Sequence, residues 1–150
     1  VRWLLDEKYD GKRTSEAEKD ITRIQAGEPV DYVIGHTVFL GTTIDLKGYP
    51  HIPRPETEHW VSQAIADMQK GKGSVRVLDM FAGSGNVGIA VLKHMLSASV
   101  DFGEQNKTFC ELIEENAAKN DIAKNRYRIF CSDLFSEIKD ESRKKINPDS

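Results

Sequence analysis

Apolar positions change their spacing several times along this chain. In a strongly charged opening stretch, Ala17, Ile21 and Ile24 fall four and three residues apart, which predicts a helix over 14–26 with a narrow apolar face. Ser15 and Glu18 have capping-box spacing, Gly27 ends the helix and Pro29 lies two residues beyond. Tyr32-Val33-Ile34-Gly35, Thr37 to Gly41 and Thr43 to Leu46 are rich in β-branched and aromatic residues, and Lys47-Gly48-Tyr49-Pro50 reads as a turn. Together they predict a short β-hairpin or meander. Pro53 and Pro55 then hold the backbone extended, and Glu56 and Glu58 favour a helix N-terminus. Trp60, Val61, Ala64, Ile65 and Met68 form a helical stripe, which Gly71-Lys72-Gly73-Ser74 stops.

From Val75 the pattern alternates. Residues 75–80 read as a strand, Phe81 to Gly85 as a glycine turn, and 86–96 as a helix through Val87, Ala90, Val91 and Met95. Ser99 to Phe102 is a second strand. Asn106 caps a helix to about Asn120 with Phe109, Leu112, Ile113 and Ala117 inward, and Tyr127 to Cys131 is a third strand. Strand–helix–strand–helix–strand implies a parallel sheet with right-handed crossovers. The expected organisation is a helical segment over 1–29, a hairpin over 30–53 and an α/β domain over 54–150. The polar stretch 137–150 continues none of these patterns.

A length of 150 residues suits one domain with a small appendage. At 30% charged residues the composition is that of a soluble globular chain, and no apolar run approaches the roughly 20 residues of a membrane span. Val1 opens the chain in place of Met, and an acid follows as early as Asp6, which argues against a signal peptide. The natural protein is expected to begin upstream. A net charge of −3 gives no basic field to recruit nucleic acid. Cys110 and Cys131 fit no CxxC pattern and read as small core residues of a protein in a reducing cytoplasm. His36, His51, His59 and His94 have no ligand spacing, so no metal is expected. Trp60 and Phe39 are expected to pack under the fold.

The glycine turn carries the chemistry. A turn between a buried strand and a helix brings backbone N–H groups and the positive end of the helix dipole to a ligand. Glu104 follows Gly85 by 19 residues, at the tip of the next strand, where an acid can take both hydroxyls of a ribose. A nucleoside-bearing cofactor explains both features; a plain tight turn with a solvated acid is the bland alternative. Gly83-Ser84-Gly85-Asn86-Val87-Gly88 matches GxGxxG literally, which taken alone suggests NAD. Yet Asp79 closes the strand and Met80 to Ala82 intervene before Gly83. An acid there suits a cofactor carrying an ammonium and a sulfonium and repels a pyrophosphate. The pattern is that of class I S-adenosylmethionine (SAM) methyltransferases.

Longer blocks extend the likeness. Gly27 to Gly35, Phe39-Leu40-Gly41, Ile52-Pro53-Arg54-Pro55-Glu56-Thr57-Glu58, Leu78 to Gly85, Glu115 to Asn120 and Ser132 to Ser136 resemble the HemK-type methyltransferases over about residues 20–138. Those enzymes methylate the glutamine side-chain nitrogen in the GGQ loop of peptide chain release factors. The resemblance implies a Rossmann-like α/β SAM methyltransferase fold, with an incomplete parallel sheet preceded by a helix and a β-hairpin. It also implies SAM as cofactor, S-adenosylhomocysteine as product, a release factor as partner, and a cytoplasmic protein. By position, Asp79 and Phe81-Ala82-Gly83-Ser84-Gly85 would form the SAM loop and Glu104 would hold the ribose. Asp133 and Leu134 would flank the adenine. Arg54, Pro55, Glu56 and Thr57 would edge the active site, with a salt bridge from Arg54 to Glu56 or Glu58 as the competing reading.

Three departures stand out. Phe81 occupies the family's first loop glycine, although Asp-x-Phe-Ala-Gly-Ser-Gly also occurs in RNA guanine methyltransferases. The N-terminal helical domain is reduced to about one helix. No Asn-Pro-Pro-Tyr is present, and Asn147-Pro148 lacks the second proline, the aromatic and a buried strand before it. The natural protein is therefore expected to continue beyond Ser150, and the 150-residue chain to bind SAM without catalysis. The alternatives are a nucleic-acid base methyltransferase acting on an exocyclic amine, an NAD-dependent oxidoreductase, and a non-catalytic binding module.

Overall fold

The computed structural model describes residues 1–131; the expectations for Asp133, Leu134 and Asn147 lie outside these described residues. Three helices open the chain: α1 (Arg2–Tyr9), α2 (Ser15–Gln25) and α3 (Val30–Ile34). Leu4, Ile21, Val33 and Ile34 bury one another in a small core that joins all three. Asp20, also buried, ties the helices together. It accepts from Lys8 Nζ at 2.7 Å, Tyr9 OH at 2.7 Å and an Arg23 guanidinium nitrogen at 2.9 Å.

Two expectations fail here. The N-cap of α2 is Thr14, with extended backbone, whose Oγ1 accepts the Ala17 N–H at 3.1 Å. Ser15 is already helical, so it cannot cap. Tyr32 to Ile34, read from β-branched and aromatic residues as part of the hairpin or meander, lie instead in the helical turn α3. Burial of Val33 and Ile34 beside Leu4 outweighs intrinsic β preference, and Gly35 at φ 96° ends the turn.

Strands β1 (His36–Phe39) and β2 (Thr42–Asp45) form the antiparallel hairpin. Its two turn residues, Leu40 and Gly41, both have positive φ, as tight hairpins require. Helix α4 (Pro55–Gln69) buries Val61 and Ile65. Trp60 is 54% exposed, contrary to expectation. It lies one residue, about 100° of helical rotation, from the inward line through Val61, Ile65 and Met68. Phe39 is buried as expected.

Strands β3 (Val75–Met80), β4 (Ala98–Glu104) and β5 (Tyr127–Cys131) form a parallel sheet in the order β3-β4-β5. Helix α5 (Asn86–His94) links β3 to β4, and α6 (Lys107–Lys119) links β4 to β5 through a short 3₁₀ turn over 124–126. This is the Rossmann-like α/β arrangement. Phe102, Val100, Ile89, Leu92 and Ile113 fill the main core, which Phe39, Ile44 and Leu46 of the hairpin enter from outside the sheet. On the other face of the sheet, Asp101 is clamped between Arg76 of β3 and Arg128 of β5. Cys110 and Cys131 are joined as a disulfide between α6 and the end of β5, and Cys131 is exposed. Cys110 is buried as expected, whereas exposure of Cys131 corrects its reading as a core residue; parallel pairing sets the end of β5 beside Glu104, within reach of the first turn of α6. Among the described residues no helix is long and apolar enough to cross a membrane, and no group of His, Cys, Asp and Glu has the makings of a metal site.

Candidate functional site

The carboxyl ends of β3 and β4 converge on the glycine turn. Register places Asp79 opposite Phe102 and Met80 opposite Gly103, so Glu104 lies one step past the end of β3. The chain then turns sharply. Phe81, Gly83 and Gly85 all have positive φ, at 58°, 55° and 77°. Gly85 is the N-cap of α5 and has no side chain to offer.

Asp79 supplies the missing cap. Its Oδ2 accepts the N–H of Gly88, in the first turn of α5, at 2.9 Å. That leaves the N–H groups of Asn86 and Val87, which no helical carbonyl can reach, for a ligand or solvent. Desolvation pushes the Asp79 carboxyl up from 3.8 to about 6; the Gly88 bond opposes that rise and the nearby Glu104 charge adds to it. A partly desolvated carboxylate beside a second one is an incomplete charge arrangement that a cation would balance.

Glu104, buried, braces the turn from the neighbouring strand. Oε2 accepts the Gly83 N–H at 2.8 Å and Oε1 the Asn106 N–H at 2.8 Å. Its carboxylate therefore joins the turn to the start of α6. Each oxygen keeps lone-pair capacity for a further donor. Ala82 and Ser84 are buried, whereas the Phe81 ring is 69% exposed at the rim. The structure thus brings Asp79, Phe81 to Gly85 and Glu104 together at one point.

Arg54, Pro55, Glu56 and Thr57 lie at the N-terminus of α4. Arg54 is the N-cap of α4 and Pro55 its first residue. With Tyr32, His51 and Ile52, Arg54 and Pro55 line a groove of about 430 Å³ whose walls contain no residue of the glycine turn. Among the described residues no acid pairs with Arg54, which overturns the salt-bridge reading. Glu58 is engaged elsewhere: Oε1 accepts the N–H of Leu40 at 2.7 Å and so fastens α4 to the hairpin turn. His94 of α5 holds the carbonyl of the same residue at 2.7 Å.

Two further residues escaped the sequence reading. Asn116 and Asn120 occupy the buried face of α6 and bond the backbone of β2. Asn116 also donates to the Ser84 carbonyl inside the glycine turn. The available signal was a pair of carboxamides four residues apart on a face otherwise made of Leu112, Ile113 and Ala117.

Residues 61–148 match the model of the methyltransferase small domain. The chain is 32% identical over 121 residues to a release factor glutamine methyltransferase of Agrobacterium fabrum, across 79% of this chain and 42% of that protein. It is 34% identical over 107 residues to one from Chlamydia trachomatis, across 71% of this chain and 36% of that protein. The chain thus spans less than half the length of these relatives. Among solved structures, a SAM-dependent methyltransferase from Agrobacterium tumefaciens shares the fold, with a TM-score of 0.60 at 18% identity over 73% of this chain and 35% of that one. The matched span contains β3, the glycine turn, the capped helix and the carboxylate of the next strand, and by that match the chain belongs to the methyltransferase small domain family.

Proposed function

We propose that this chain is the cofactor-holding part of a SAM-dependent methyltransferase whose acceptor is the glutamine side-chain nitrogen in the GGQ loop of a peptide chain release factor. One observation carries the cofactor half. Two carboxylates, Asp79 and Glu104, flank a helix N-terminus whose first N–H groups lack acceptors. A pyrophosphate would meet both negative charges, whereas an ammonium or sulfonium would be balanced by them. The acceptor half rests on the release factor glutamine methyltransferases that the chain resembles.

Bound there, SAM supplies an electrophilic methyl group on a sulfonium. The backbone of Phe81 to Gly85 would cradle the cofactor, Asp79 would balance its positive charge, and Glu104 would take the sugar hydroxyls while keeping its hold on Gly83. Asp133 and Leu134 would flank the adenine, as the family pattern implies. Arg54, Pro55, Glu56 and Thr57 would edge the acceptor's approach. Residues 1–29 would belong to the acceptor-recognising segment, 30–53 would be the hairpin region and 54–150 the SAM domain. A glutamine amide nitrogen is a poor nucleophile, so the remaining task is to orient it. The family assigns that to Asn-Pro-Pro-Tyr, which these 150 residues do not contain; this chain is expected to bind SAM and not transfer its methyl group. A cytoplasmic location follows from a release factor partner.

Thermal shift with SAM, S-adenosylhomocysteine and NAD tests the cofactor: stabilisation by NAD alone defeats the proposal. Transfer of labelled methyl by the full gene product to a release factor, with RNA offered in parallel, tests the acceptor. Label in RNA only would move the assignment to a nucleic-acid base methyltransferase.

A further inference from the structure

We propose that Asn116 is a positioning residue for the glycine turn, coupling it to the second strand of the hairpin; the inference rests on the reading of that turn as the SAM site. Asn116 has no solvent exposure. Its Oδ1 accepts the Asp45 N–H at 2.8 Å, and its Nδ2 donates to the Asp45 carbonyl at 3.2 Å and to the Ser84 carbonyl at 3.0 Å. Both of its donor hydrogens are thus used.

Asn120, one helical turn on, repeats the pairing on Thr43, with its Oδ1 accepting at 3.0 Å and its Nδ2 donating at 2.8 Å. The spacing explains the match. Four residues of helix rise about 6 Å, close to the roughly 6.6–6.8 Å spanned by two residues of strand. Helix α6 therefore presents two carboxamides as a substitute strand along one edge of β2. The two residues differ at one point. The second Nδ2 hydrogen of Asn120 goes to the Asn116 carbonyl within its own helix, whereas that of Asn116 reaches the glycine turn.

The Ser84 carbonyl and the Gly85 N–H belong to one rigid peptide plane. Asn116 holds the carbonyl, and the Ala82 carbonyl accepts the N–H at 2.7 Å. Gly85, at φ 77°, is free to rotate that plane if one anchor is lost. Asn116 therefore keeps the turn set before a ligand arrives, and the hairpin, through Asp45, supplies its support. Preorganisation of this kind is read in affinity.

The comparison of Asn116→Ala with Asn120→Ala in this chain tests the inference. Each removes one carboxamide pairing to β2, so each lowers the melting temperature. Only Asn116→Ala should speed hydrogen exchange at the Gly85 amide and raise the Kd for SAM and S-adenosylhomocysteine by about tenfold or more; Asn120→Ala should leave Kd within about twofold. Equal losses of affinity in the two variants, or unchanged Gly85 exchange in Asn116→Ala, would overturn it. If Asn116→Ala does not fold, Asn116→Ser, which retains a short polar group, carries the same comparison. If the wild-type chain binds neither nucleoside, the cofactor reading fails, and Gly85 exchange alone decides the coupling.

Discussion

Gly88 of α5 presses against the ring of Phe102 on β4 so closely that a Cβ built on it would lie 2.3 Å from Cε1 and 2.7 Å from Cζ. The third glycine of the literal GxGxxG match is thus a packing residue that lets α5 approach β4, a role independent of which cofactor the turn holds. Gly88→Ala must displace the ring or the helix, at a cost of about 1–3 kcal/mol. Gly83 differs: a Cβ there meets nothing within 4 Å, but φ is 55°, so Gly83→Ala costs only the left-handed backbone, about 1 kcal/mol. Urea unfolding should therefore rank Gly88→Ala as the more damaging. The reverse order would mean that α5 does not sit this close to β4.

If the glycine turn holds SAM as proposed, Asp79 makes its binding pH-dependent. Its carboxyl, raised from 3.8 to about 6 by desolvation, holds its proton more firmly folded than unfolded. The stability this contributes is present below pH 4 and is lost as pH rises through 6. A bound cation stabilises the ionised form and so releases the proton. The affinity for SAM should accordingly weaken by up to about tenfold per pH unit below 6 and level off above it. Isothermal titration between pH 5 and 8 measures this. Asp79→Asn, which keeps an oxygen for the Gly88 N–H, should bind weakly with a flat profile. A flat profile in the wild type would show that Asp79 does not face the cation.

Sequence patterning reached the sheet more surely than the site's supports. β5 and the α6 cap at Asn106 fell where expected, because a short run of aromatic and β-branched residues marks a strand and the cap is a local bond. Asp79, Gly83, Gly85 and Glu104 were legible as a group because chain order alone brings them to one sheet edge. Val30 to Ile34 was not, since its partners Leu4 and Ile21 are distant in sequence and their burial decides its conformation. Asn116 and Asn120 lie in a block that resembles the family, but their roles are not legible there because their bonds span 71 and 77 residues. The double engagement of Glu104 by Gly83 and Asn106 was equally hidden: the acid's position is local, the directions of the N–H groups that donate to it are not.

The Asp20 node has a spectroscopic signature. The hydrogen bond from Tyr9 to Asp20, with some burial, raises the phenol from 10.0 to about 12. At Asp20 itself burial works against the charge, but bonds from Lys8, Tyr9 and Arg23 outweigh it and lower the carboxyl. One tyrosine of the four should therefore ionise late in an absorbance titration, and in Asp20→Asn it should return toward 10. By linkage the Tyr9 contribution is intact below pH 10 and fades as pH rises through 12, whereas that of Asp20 is lost as pH falls below its ordinary range. If all four tyrosines ionise together in the wild type, the Tyr9–Asp20 bond is not formed in solution.

Phe81 combines two costs that ordinarily do not meet: a left-handed backbone at φ 58° and a ring 69% exposed. An L-residue in that region sacrifices about 1–2 kcal/mol, and so exposed a ring recovers little of it by burial. In an ordinary loop, Ala is favoured over Gly by about 0.4–1 kcal/mol through the unfolded state. At this position the order should invert. Phe81→Gly relieves the strain and Phe81→Ala retains it, so the glycine variant should be the more stable by about 0.5–1 kcal/mol. Paired denaturation curves decide the point. A more stable alanine variant would mean that residue 81 leaves the left-handed region in solution and that the turn before Gly83 is shaped otherwise.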